Sequence, residues 1–168
     1  MNEIPFFGRP AAFALRVRQA SAALYEQMDQ CLQAHGLTLP AYATSLVQTL
    51  YHGGPQSVSA LAERLGLSHQ LASQRLRWLV KEGLVVIDDD PEDRRRRLVS
   101  LTSAGQTEGD KLQAFLPRLE RAYSDLFNEI GMDLHTGMVD ARAALLARPL
   151  LTRMQTETGM QAPQRSAG

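Results

Sequence analysis

Four consecutive arginines, Arg94 to Arg97, stand between an acidic turn and an alternating apolar segment. The stretch from Asp88 to Leu101 reads Asp-Asp-Asp-Pro-Glu-Asp-Arg-Arg-Arg-Arg-Leu-Val-Ser-Leu, and Leu84-Val85-Val86-Ile87 comes just before it. Two short apolar runs joined by a charged, turn-forming tip predict a β-hairpin. Guanidinium groups at such a tip can reach phosphates or enter a narrow minor groove. A run of like charge can equally be a solvated face, and the residues before the hairpin bear on the choice.

Two short helices with a tight turn between them fit Ser57 to Gly83. Ser57 or Ser59 caps the first, whose apolar residues Val58, Leu61, Ala62 and Leu65 recur at helical spacing. Gly66 supplies the positive φ that ends it, and Leu67 plugs the corner. Ser68 caps the second, Ala72, Leu76, Leu79 and Val80 form its buried stripe, and Gly83 ends it. His69, Gln70, Ser73, Gln74 and Arg77 are left on the opposite face. These side chains hydrogen-bond to base edges and phosphates. No acid occurs between Ser68 and Lys81, and a carboxylate there would repel phosphate. The order helix, turn, helix, arginine-tipped hairpin is a winged helix-turn-helix. The expected fold class is mainly α with a small β-hairpin wing. The candidate DNA-contacting residues are Ser68, His69, Gln70, Ser73, Gln74, Arg77, Arg94, Arg95 and Arg96.

From about Phe13 to Leu146 the chain resembles the MarR family of bacterial transcription regulators. The motifs that carry the resemblance are Gly36-Leu37-Thr38 opening a helix and Leu61-Ala62 to Leu67-Ser68 through the helix-turn-helix. Gly83-Leu84-Val85 enters the wing, and Asp93-Arg94-Arg95 followed by Leu98-Val99-Ser100-Leu101-Thr102 leaves it. The resemblance implies a two-fold symmetric dimer that binds a pseudo-palindromic duplex and represses transcription. It also implies that Asp93 is a structural wing acid and Arg94 a minor-groove arginine. Three positions depart from the family pattern: Leu71-Ala72 replaces a Thr-Val-like pair, Arg75 an apolar residue and Trp78 a charged one. Arg75 is expected to lay its stem on the helix and send its head toward a phosphate. Trp78 is expected to pack against the wing or a neighbouring helix.

The flanking segments read as assembly surfaces. Phe13, Val17, Ala20, Leu24, Met28 and Cys31 recur at spacings of three and four, and Ala43, Leu46, Val47 and Leu50 follow the same rhythm up to the break at Gly53-Gly54-Pro55. After the wing, Thr102 or Ser103 caps a long helix in which Leu112, Leu116, Leu119, Tyr123, Leu126 and Ile130 form a heptad-like seam. Pro117 predicts a bend near Ala114. A last helix runs from about Met132 to Arg148 and stops at Pro149. These helices either complete one core or, as the resemblance implies, intertwine with a second subunit. Winged helix-turn-helix residues 36–101 are thus flanked by helical dimerisation regions at 10–34 and 102–148. Residues 149–168, with little to bury, are expected to be disordered.

Charge and composition bound the function. Eighteen basic and 18 acidic residues give no net charge, which argues against binding DNA through bulk charge and leaves a local basic surface. Asp88, Asp89, Asp90 and Glu92 are expected to cap turn amides, pair with arginines and limit non-specific affinity. The single cysteine, Cys31, excludes an intramolecular disulfide and suits a reducing cytoplasm. It lacks a neighbouring cation that would lower its pKa, so no redox role is expected. Neither a signal peptide nor an apolar run long enough to span a membrane is present, so the expected location is cytoplasmic.

His35, His52, His69 and His135 lack metal spacing, and no catalytic or cofactor motif occurs. The expected function is therefore not enzymatic. A winged-helix protein-interaction module without specific DNA binding is the alternative. The resemblance further implies control by a small aromatic or lipophilic effector, with Met28, Tyr42, Leu46 and Phe115 as candidate pocket residues.

Overall fold

Helix ends in this chain lie where short polar residues and glycines place them. The computed structural model describes residues 9–90 and 97–158, which fall into two units divided between Pro117 and Arg118. In the first, a 3-10 turn (Pro10–Ala12) leads into α1 (Phe13–Ala34), followed by α2 (Ala41–Gly53), β1 (Gln56–Ser57), α3 (Val58–Leu65) and α4 (His69–Lys81). The hairpin strands β2 (Val85–Asp89) and β3 (Arg97–Leu101) come next, and α5 (Ser103–Ile130) crosses the division. The second unit holds the end of α5, α6 (Leu134–Ala147) and α7 (Leu150–Thr158).

Ser57 caps α3 by accepting from the Ala60 amide at 3.2 Å, and Ser68 caps α4 by accepting from Leu71 at 3.2 Å. Gly66 (φ 63°) and Gly83 (φ 69°) turn the chain left-handed after α3 and α4. Their following leucines bond back into the helix, Leu67 N to Ala62 O at 2.9 Å and Leu84 N to Leu79 O at 2.9 Å. This is the Schellman arrangement, with an apolar residue folded under the helix end. Leu61, Ala62, Ala72, Leu76 and Leu79 are buried as the spacing predicts. Val80 differs: it is 42 % exposed, on the edge of the stripe.

The sheet is antiparallel, in the order β1-β3-β2. Val85 pairs with Leu101 and Ile87 with Val99, which sends Val85 and Val99 into the core. β1 adds a third strand to the predicted hairpin through Gln56 and Ser57, which face Val99 and Leu98. Two residues are too short to show alternation in sequence.

Thr102 joins three of these elements. Its hydroxyl donates to Gly83 O at 2.7 Å and accepts from Gly105 N at 3.0 Å, and its amide donates to Leu84 O at 3.0 Å. One residue therefore leaves β3, caps α5 and holds the exit of α4. Gly105 and Gly109, one helical turn apart, let α5 approach closely. A Cβ at Gly105 would overlap the Leu84 carbonyl oxygen, and one at Gly109 the Tyr51 ring.

A buried acid fastens α5 further along. Glu108, 5 % exposed, accepts from Thr38 N at 2.9 Å and from Lys111 Nζ at 2.6 Å. Lys111 also donates to Gly36 O at 3.2 Å. α5 is thus tied to the turn between α1 and α2. Burial works against the charge on Glu108, but the Lys111 ammonium and the Thr38 amide outweigh it and hold the carboxyl below its ordinary value. Asp29 on α1 caps α2 from outside by accepting from Ala41 N at 2.6 Å.

α5 runs through Pro117 as one helix, and the division between units falls directly after that residue. In the second unit Asp133 caps α6 through Thr136 N at 3.0 Å. α6 has no buried side chain, and Leu146 reaches 69 % exposure. Part of the segment expected to be disordered is instead helical: α7 spans Leu150–Thr158. The physical reason is local. The Arg153 guanidinium donates to Ala144 O and Arg148 O, both at 2.9 Å, adding a second donor to Ala144 O, which already accepts from Arg148 N, and so ties α7 back to the end of α6.

Two substitutions test this packing. Gly105→Ala gains about 1 kcal/mol of helix propensity but overlaps a backbone oxygen, and overpacking costs about 1–3 kcal/mol or more. A net loss of stability in urea unfolding is expected; a gain would mean that α5 can shift away from Leu84. Glu108→Gln should cost about 1.5–3 kcal/mol at neutral pH, the worth of hydrogen bonds to a charged group. A depressed carboxyl pKa stabilises above the unfolded-state value and stops doing so as pH falls through the folded-state value. The gap between parent and variant should therefore close on acidification, and a pH-independent gap would contradict the assignment.

Candidate nucleic-acid interface

α4 presents its polar face to solvent because its apolar face is taken by Ala72, Leu76 and Leu79. Ser68, His69, Gln70, Gln74 and Arg77 are exposed and Ser73 is half-buried. The structure thus brings all six α4 candidates onto one accessible surface. Ser68 already spends its hydroxyl on the helix cap, which leaves His69, Gln70, Gln74 and Arg77 as the longer groups with free reach. The surface is basic to neutral, with Arg77 and Lys81 and no acid.

The wing candidates Asp93, Arg94, Arg95 and Arg96 lie outside the described residues. The strands that lead to them are described. At their outer end Arg97 Nε lies 3.7 Å from Asp89 Oδ1, with both side chains largely exposed, so the pair adds little to stability. Asp88 and Asp89 are exposed, whereas Asp90 is buried (8 % exposed).

Arg75 takes a different role from the expected one. Its Nη1 donates to Tyr42 O at 3.2 Å, and its guanidinium carbon lies 5.6 Å from the Tyr42 ring centroid. The head that was expected at a phosphate instead ties α4 to α2. A carbonyl acceptor and an aromatic face within reach are better partners for a half-buried guanidinium than solvent. Trp78 packs on a neighbouring helix, as expected, with its ring edge-on to Tyr42 at 6.2 Å. Sequence spacing could not reveal this cluster, because Tyr42 lies 33 residues before Arg75.

Of the candidate pocket residues, Leu46 and Phe115 are buried core, and Phe115 meets the His35 ring at 5.1 Å. Met28 is half-buried. Tyr42 borders a groove of about 400 Å³ that Asp29, Thr38, Leu39 and Trp78 also line. Cys31, expected on the apolar stripe of α1, is exposed. Among the described residues no helix is long and apolar enough to cross a membrane, and no three His, Cys, Asp or Glu residues are grouped to hold a metal.

Residues 35–96 match the profile of the MarR family. Solved structures share the fold of the chain. The PcaV transcriptional regulator from Streptomyces coelicolor, in complex with its natural ligand, is 20% identical with a TM-score of 0.64, over 88% of this chain and 98% of that one. The transcriptional repressor CouR bound to a 23-mer DNA duplex is 21% identical with a TM-score of 0.65, over 85% of this chain and 99% of that one. The S. aureus MepR–DNA complex is 18% identical with a TM-score of 0.61, over 87% of this chain and 97% of that one. No curated protein matches the sequence.

The Arg75 geometry makes a prediction. Arg75→Gln should lower stability by about 1–2 kcal/mol through the lost charged hydrogen bond and ring contact. It should leave the salt slope of duplex binding unchanged, because no phosphate contact is removed. A slope shallower by about one ion would put Arg75 on the DNA.

Proposed function

We propose that this chain, whose residues 35–96 belong to the MarR family of winged helix-turn-helix proteins, regulates transcription by binding specific duplex DNA as a homodimer. The observation that carries the reading is the outward face of α4, which is accessible, acid-free and built from His69, Gln70, Gln74 and Arg77. In this reading α4 enters the major groove, where glutamine and arginine can make paired hydrogen bonds to purine edges. Arg94, Arg95 and Arg96 reach the minor groove and its phosphates, and Asp93 braces the wing. Two of the similar structures hold DNA and one holds a natural ligand, which agrees with this reading.

The second unit supports a dimer. Leu134, Met138, Val139, Leu145 and Leu146 of α6 are all exposed, with no described partner inside the unit that buries them. On α1, Phe13, Leu24 and Tyr25 are exposed as well. Apolar surface of this extent marks an association site in a water-soluble protein. A two-fold dimer sets two α4 helices roughly 34 Å apart, one turn of B-DNA, and so selects a pseudo-palindromic operator. Repression follows where such a site overlaps a promoter. A small aromatic or lipophilic effector that binds one dimer state better than the other would release the operator.

Binding to duplex recovered by selection tests the reading. Gln74→Ala and Arg77→Ala should each lose about 1–3 kcal/mol and relax specificity at one position. Arg94→Ala should weaken binding most on A/T-rich flanks, where a narrow groove concentrates negative potential. Log affinity should fall with log salt by about 0.9 per phosphate contact. Parent-like binding by all three variants would remove the assigned DNA face. A stable dimer that ignores every duplex would favour a protein-interaction module.

A further inference from the structure

The groove beside Tyr42 has a chemistry of its own. Its volume, about 400 Å³, lies in the range of small-ligand sites. Leu37 and Leu39 on its wall are buried, and the half-buried rings of Tyr42 and Trp78 border it. Among the lining side chains Asp29 alone carries a charge. One Asp29 oxygen accepts from Ala41 N at 2.6 Å, and the other makes no hydrogen bond among the described residues. The Tyr42 ring already attracts a cation, since the Arg75 guanidinium lies 5.6 Å from its centroid. Arg75 opposes a second positive charge nearby, but its head is held by Tyr42 O and is not part of the lining.

We propose that this groove binds an organic cation bearing aromatic rings. A carboxylate with an open oxygen, one indole and one phenol ring and an apolar wall together favour a soft, weakly hydrated positive charge over an anion or a neutral ring. Such a ligand touches α1 through Asp29 and α4 through Trp78, and shifts α4 only to the extent that it binds one orientation of that helix better than another. This deepens the effector reading and rests on it only for consequences at DNA.

Trp78 is the single tryptophan, so its fluorescence reports this groove directly and without DNA. A failed titration is therefore distinct from a failure of the DNA reading. Full-length protein is titrated with tetraphenylphosphonium and with tetraphenylborate, ions of like shape and opposite charge. Saturable change with the cation is expected, with the anion weaker by roughly tenfold or more. Asp29→Asn keeps an oxygen for the Ala41 amide and removes the charge; it should weaken the cation by roughly tenfold. Gln33→Glu, at the exposed rim, adds a second carboxylate and should tighten the cation by roughly threefold. Equal affinity for the two ions, or cation affinity unmoved in both variants, would overturn the proposal.

Discussion

Thr102 is the contact on which the geometry of the winged domain depends. It holds Gly83 at the exit of α4, Leu84 at the entrance of β2 and Gly105 in the first turn of α5. Three hydrogen bonds of about 0.5–1.5 kcal/mol each are a modest energy, but they fix directions. The α4 face, the wing and the long helix are set relative to one another within a few residues. The glycine at position 105 permits that junction, because any Cβ would meet the Leu84 carbonyl. Glu108 then repeats the fastening one turn on, against the turn between α1 and α2.

What sequence could show and what it could not follows from the range of the interactions. Ser57, Ser68, Gly66 and Gly83 act on backbone groups within a few residues, so their helix ends are legible directly. The outward face of α4 is legible for the same reason, since helical spacing alone separates Gln74 and Arg77 from Leu76 and Leu79. Glu108 with Thr38, Asp29 with Ala41 and Arg75 with Tyr42 pair residues 70, 12 and 33 positions apart. Nothing local marks them. Arg75 reads as a phosphate ligand in sequence only because its nearer partner is invisible there. The tail shows the same limit: Arg153 of α7 bonds back to Ala144 O and Arg148 O at the preceding helix end, and composition does not record that reach.

The balance of charge acquires a meaning from this arrangement. With 18 charges of each sign, affinity for DNA has to come from placement. On α4, the cations Arg77 and Lys81 are exposed. The acid of the groove, Asp29, stands by α1 and the α2 cap. Trp78 belongs to the same helix as the candidate base-reading residues while facing Tyr42. One helix therefore carries both the residues proposed to read DNA and a wall of the groove, and Trp78 and Arg75 tie it to Tyr42 of α2.

The central claim is that two copies of α4 occupy successive major grooves of one duplex. Protection of guanine N7, a major-groove atom, from methylation by dimethyl sulfate along the selected duplex measures this directly. The account predicts two protected patches per strand, related by two-fold symmetry and centred roughly 34 Å apart. A single patch, or protection spread evenly along the duplex, would contradict it.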